Sequence, residues 1–146
     1  MKDFDKLFDL EGLKKDVNEA QDNNYEDVPV GDYEVKIEKM ELVESKKGDP
    51  MVSIWFKIVA GELKNSMIFY NQVITQGFQI HLNNELLKTF NSGIEVEFNS
   101  YADYAQLLSD IYVAVDGKYE YLLSYGQTAK GFKTYKIKDV FTLTQN

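Results

Sequence analysis

The chain has 146 residues, a formal net charge of −8, 44% hydrophobic and 14% aromatic residues, and no cysteine. That length suits one domain around a single core, and the hydrophobic share is that of a globular chain. The missing cysteines exclude disulfides, thiolate catalysis and Cys-based zinc sites. No apolar run approaches the roughly 20 residues that span a bilayer. The acidic N-terminus lacks the basic-then-apolar pattern of a signal peptide, so a cytoplasmic location is expected.

The first elements are acidic. Residues 1–30 hold nine Asp/Glu against four Lys, a net of −5, which leaves −3 for residues 31–146. In "FDKLFDLEGLKKDVNEA", Phe4, Leu7, Phe8 and Leu10 have the spacing of a short amphipathic helix or turn, and "QDNNYEDVPVGD" follows as a linker ending at Pro29 and Gly31. A helix packed on the domain and a mobile acidic arm both fit. We set the boundary at 1–28 for this acidic segment and 29–146 for the folded domain.

From Gly31 the pattern has period two. Tyr33, Val35 and Ile37 alternate with charged residues, and then the apolar parity shifts to Met40 and Leu42. One extra residue near Lys39 would make a β-bulge and let a long strand bend. "ESKKGDP" supplies a turn, and a second strand places Val52, Ile54, Phe56 and Ile58 on one face, with Ser53, Trp55 and Lys57 on the other. "SMIFYNQVI" is a third strand.

Two helices are predicted next. The first covers "TQGFQIHLNNELLKTFNSG", with Phe78, Leu82, Leu86 and Phe90 at helical spacing and Gly93 as a C-cap. The second opens with Ser100 and Asp103 in capping-box spacing and repeats Tyr104, Leu107, Leu108, Ile111 and Val115. "IEVEF" between them has the alternation of a short strand. The chain closes on "KYEYLLSYGQTAKGFKTYKIKDVFTLT", a hairpin of tyrosines and lysines. Residues 117–138 hold five Lys against one Glu, a net of +4 within an acidic protein. Three strands, two helices between strands 3 and 4, and a closing hairpin give a mainly β chain with helical insertions. That is the element order of an OB-fold, a five-stranded Greek-key barrel.

A basic patch acts locally, because charges farther apart than roughly 8 Å are largely screened at physiological salt. Every basic residue is lysine and there is no arginine. Bidentate reading of guanine edges, which arginine does best, is therefore not expected. A groove that follows single strands needs cations for phosphates and aromatic faces for bases. Two registers of the final hairpin treat these ingredients differently. With Tyr125 opposite Phe132, the residues Tyr119, Tyr121 and Tyr125 share a face with Phe132, Lys136 and Lys138, beside Lys130, while Leu122, Tyr135 and Ile137 fill the core. Shifted by one, Tyr121 and Tyr119 become core. Trp55, on the polar face with Lys57, suits stacking or burial under a helix. Lys46 and Lys47 lie in the loop between the first two strands, a site of nucleic-acid contact in OB-folds or a plain solvated turn. His81 has no second histidine or cysteine as partner and reads as structural. No nucleophile–base pair, metal loop or phosphate loop is recognisable, so neither catalysis nor a cofactor is expected.

The stretch "VPVGDYEVKIEKMELVESKKGDPMVSIWFKIVAGELKNSMIFYNQVI", with "FDKLFDLEGLKKDVNEA" before it, resembles a bacteriophage family first catalogued as a domain of unknown function. The shared features are Pro29, Gly31 and Tyr33, then "SKKGDPM" at 45–51, then "FKIVAGELK" opened by Phe56. The likeness covers the first two-thirds of the chain and runs more loosely through its Tyr/Lys end. It implies an OB-fold and single-stranded-DNA binding among recombination and replication genes, and it favours the Tyr125–Phe132 register. Other proteins of phage replication and recombination are the partners it implies; a second copy of the chain is a further expected partner, which the resemblance does not bear on. Bacterial binding proteins of this role end in an acidic tip; this chain ends "TLTQN" and carries its acid in front. A β-barrel protein-interaction module, and an accessory domain whose barrel takes a small ligand, are the readings from other classes.

Overall fold

Apolar side chains at every second position need a partner sheet or helix, and the chain meets that need with one strongly bent sheet. The structure, a computed structural model, describes residues 28–143. The predicted N-terminal helix and the expected linker up to residue 27 fall outside the described residues; Val28 is buried in the core, and Gly31 and Asp32 at the linker's end open the first strand. The elements are β1 (Gly31–Glu44), β2 (Pro50–Ile58), β3 (Met67–Val73), α1 (Gly77–Lys88), α2 (Tyr101–Val115), β4 (Tyr119–Gln127) and β5 (Lys133–Thr142). All neighbouring strands are antiparallel, in the order β3-β2-β1-β4-β5. No ladder joins β3 to β5, so the sheet is not closed by backbone hydrogen bonds.

The parity shift in β1 is a real bulge. Ile37 pairs with Phe56 but Lys39 with Trp55, so Glu38 is the extra residue. Val35 and Ile37 before it and Met40 after it can then all face inward. The strand pairs with β4 over residues 31–35 and with β2 from Val35 onward, on both sides of the bulge. Val52, Ile54, Phe56 and Ile58 of β2 are fully buried beneath it.

The helices cover the inner face. Ser100 caps α2, its Oγ accepting from the Asp103 amide at 3.0 Å, and Tyr104, Leu108, Ile111 and Val115 point into the core. In α1 the inward stripe is Asn83, Leu86 and Leu87, followed by Phe90. Phe78 and Leu82, predicted on the buried stripe, are instead 62% and 55% exposed. Asn83 can take the inward place because its amide is paired. Tyr70 donates to its Oδ1 at 2.9 Å, and its Nδ2 donates to the Tyr104 hydroxyl at 2.7 Å. Burying a polar group costs little once both its ends are satisfied. The cap of α1 is Thr89, four residues before the expected Gly93. "IEVEF" forms no strand: Ile94, Val96 and Phe98 pack half-buried against the core without a ladder partner. No helix among the described residues is long and apolar enough to cross a membrane.

Candidate functional site

Because β2 sends its aliphatic residues inward, Trp55 and Lys57 face outward, and their neighbours follow from the registers. Trp55 lies between Lys39 of β1 and Phe69 of β3. The bulge decides the first of these. Continuing the Ile37–Phe56 register would put Glu38 opposite Trp55; the extra residue puts Lys39 there. Lys39 Nζ sits 4.7 Å from the centroid of the indole ring, and Phe69 meets the ring edge-on at 5.3 Å and 90°. Such contacts contribute about 0.5–1 and 0.5–1.5 kcal/mol at exposed positions. Phe69 stays 37% exposed, large for an aromatic in mid-strand. One cation and two aromatic rings thus run across three strands.

The surroundings mix lysines with carboxylates. Lys57 lies opposite Lys36, whose ammonium is held above its usual range chiefly by the Glu38 carboxylate 3.2 Å away. Lys39 has a carboxylate neighbour, Glu41, at 3.1 Å, but both side chains are 43% exposed. An exposed pair contributes only about 0–1 kcal/mol, so Lys39 exchanges partners cheaply.

Two loops present further candidates. In the β1–β2 loop, the Ser45 amide donates to the Asp49 carbonyl at 2.8 Å and Gly48 adopts a left-handed φ of +87°, leaving Lys46 and Lys47 in solvent. In the β4–β5 loop, Phe132 has both backbone groups engaged by Thr128. Its carbonyl accepts from the Thr128 amide at 2.8 Å and its amide donates to Oγ1 at 3.1 Å. The Phe132 ring is nevertheless 68% exposed, with Lys130 exposed beside it. An ordered backbone holds an aromatic side chain in water.

The final hairpin adopts neither expected register. Tyr125 pairs with Tyr135, Leu123 with Ile137 and Tyr121 with Val140, with a bulge between Leu122 and Leu123. Tyr121 is therefore not on a ligand face. It is fully buried, its hydroxyl donating to the Phe90 carbonyl at 2.7 Å and its ring lying 5.4 Å from that of Phe90. Burial pushes its phenol well above the usual tyrosine range. Tyr119 and Tyr125 share its face and pack half-buried against the core. Lys136 lies on the opposite face, beside Ser124. Lys138, at the bulge, is tied to Asp32 at 2.9 Å, and this hydrogen bond, with a second from Ser124, lowers the Asp32 carboxyl. The outer face of β1, β4 and β5 carries Asp32, Glu34, Glu120 and Asp139 around Lys136 and Lys138. The expected tyrosine–lysine face does not form. The signal for the true register was Gly131, at a φ of +91°, which closes a three-residue loop between Thr128 and Phe132.

Among the predicted site residues, Trp55 and Lys57 come together on one face. Lys46 and Lys47, and Lys130 and Phe132, occupy two separate loops. Sequence reasoning missed Lys39 and Phe69. The alternation of buried Ile68 and Tyr70 around Phe69 marks it as outward, and the parity shift in β1 marks Lys39. His81 is exposed on α1, and no cluster of three or more His, Asp or Glu suited to a metal occurs among the described residues. A shallow depression of about 500 Å³ near the β1–β2 loop, lined by Leu42, Val43, Glu44, Gly48, Pro50 and Tyr101, has a carboxylate and no cation in its wall.

Comparison with known families places the chain. Residues 15–121 match the model of the family described as "Protein of unknown function (DUF669)", and the chain belongs to that family. No curated protein matches it.

Proposed function

We propose that this family member binds single-stranded DNA without catalysis and with little sequence preference, acting in phage replication or recombination in the host cytoplasm. The observation that carries the reading is the outward row Lys39–Trp55–Phe69. Stacking a base on an aromatic face contributes on the order of 1–3 kcal/mol, and every base has such a face. Lys39 and Lys57 supply cations beside the rings, and Lys46, Lys47 and Lys130 extend them into the loops. A duplex hides its base faces, so this arrangement favours single strands.

The strand order supports an OB-type barrel as the scaffold. In such a barrel β3 closes against β5, and here that seam is spanned by side chains. The Tyr135 hydroxyl donates to the Phe69 carbonyl at 2.7 Å, and the Tyr70 and Tyr135 rings meet at 5.0 Å. The outer face of strands 2 and 3, with the loops after strands 1 and 4, is where OB-folds take oligonucleotides. The phage setting rests on the sequence resemblance over residues 28–74, with residues 4–20 before them.

The test is anisotropy of a labelled oligo-dT and of a labelled duplex at matched salt. Tighter binding of the single strand, falling steeply with salt as lysines displace counterions, is expected. Equal affinity for both would contradict base stacking. A labelled strand left unbound would favour the protein-interaction module.

A further inference from the structure

The candidate surface has two halves on opposite ends of the sheet. The Trp55–Phe69 row belongs to β2 and β3, while Lys130 and Phe132 sit on the loop between β4 and β5. Along the sheet, β3 and β5 are separated by four strand spacings, roughly 19 Å, and no ladder joins them. One polar link across the seam is the hydrogen bond from Tyr135 to the backbone of Phe69, at 2.7 Å. It therefore ends on the residue whose ring stacks against Trp55.

The hydroxyl is aimed by packing. The Tyr135 ring meets Tyr70 edge-on at 5.0 Å and 87°, and its strand partner Tyr125 at 5.5 Å and 37°. Tyr70 is itself anchored, through Asn83, to α2. Burial, with Tyr125 beside it, pushes the Tyr135 phenol up to about 12, so it remains a donor at physiological pH. From Tyr135 the chain reaches Phe132 in three residues, roughly 10 Å.

We infer that Tyr135 is a positioning residue that joins these two halves into one binding surface, holding the Lys130–Phe132 loop in fixed relation to the Trp55–Phe69 row. The inference rests on the single-strand reading above. A strand long enough to touch both halves then meets a preformed path, whereas a short strand on the Trp55–Phe69 row gains nothing from the link. Without the hydroxyl, the loop keeps its own hydrogen bonds but is less fixed relative to the row, and the cost of fixing that relation when the strand binds falls on long strands alone.

Tyr135→Phe keeps the ring contacts and removes the bond. Its affinity and that of the wild type are measured for oligo-dT of about four and about twelve nucleotides, lengths within the range one such domain covers. The expected result is unchanged affinity for the short strand and a loss of about three- to tenfold for the long one, the worth of one net hydrogen bond. Phe132→Ala should also cost less in the Tyr135→Phe background than in the wild type. Equal losses at both lengths, or none at either, would overturn the assignment. So would a variant that unfolds, since the hydroxyl would then hold the fold and not the surface. A wild type that binds neither length refutes the single-strand reading itself, and the inference with it.

Discussion

Replacing Tyr121 separates a core tyrosine from a ligand-facing one. The side chain is fully buried, in ring contact with Phe90, and its hydroxyl satisfies the Phe90 carbonyl just beyond the end of α1. Emptying such a position costs about 3–5 kcal/mol. The carbonyl left without its donor adds roughly 1–3 kcal/mol, unless water reaches it. For a domain of this size each kcal/mol lowers the melting temperature by roughly 3–6 °C, so Tyr121→Ala should melt at least ~10 °C below the wild type. Tyr121→Phe isolates the hydrogen bond and should lose about 1–2 kcal/mol, or roughly 3–12 °C. Both are measured by thermal melting and urea titration, and DNA affinity is then determined under conditions where each variant is folded. That affinity should match the wild type. A Tyr121→Ala protein that melts with the wild type but binds DNA weakly would refute the register on which the site is built.

Three further outcomes follow from the same geometry. Asn83→Ala leaves the buried Tyr70 hydroxyl without its acceptor and should destabilise by about 1–3 kcal/mol in urea titration, with DNA affinity unchanged. Ser100→Ala removes the α2 cap and should cost about 1 kcal/mol by the same assay. Tyr70, Tyr121 and Tyr135 are all raised above the usual phenol value, Tyr135 to about 12. A raised phenol favours the neutral form in the fold, so its contribution is intact below about pH 10 and is lost as pH rises through the folded value. Burial also raises Tyr104 and Tyr112, so phenolate absorbance should show these five of the ten tyrosines ionising late, together with alkaline unfolding.

The strands and their inward faces were legible because a half-buried strand must alternate. Even the bulge showed, since Ile37 and Met40 cannot both face inward without an extra residue. The α2 cap was equally plain from Ser100 and Asp103. What misled was the final hairpin. Tyrosine suits either face of a sheet, so a run such as "YEYLLSYG" fits several registers, and the choice came from the core, where Tyr121 fills the space against Phe90. The stripe of α1 failed for a related reason. Periodicity counts Asn83 as polar, and only the tertiary partners Tyr70 and Tyr104 make it an inward residue. The candidate site was half visible: Trp55 and Lys57 stood out on a polar strand face, whereas Lys39 and Phe69 join them only through pairing.

Trp55 is the one tryptophan in the chain, so its fluorescence reports directly on the proposed contact. Titrating the protein with oligo-dT at low salt should quench that emission in a saturable curve. Phe69→Ala should weaken the binding by about 1–3 kcal/mol, roughly five- to 150-fold, while the melting temperature falls only slightly. Tight binding of the oligonucleotide with no change in Trp55 emission, and with Phe69→Ala binding like the wild type, would contradict the account: DNA would then be held somewhere other than the Lys39–Trp55–Phe69 row.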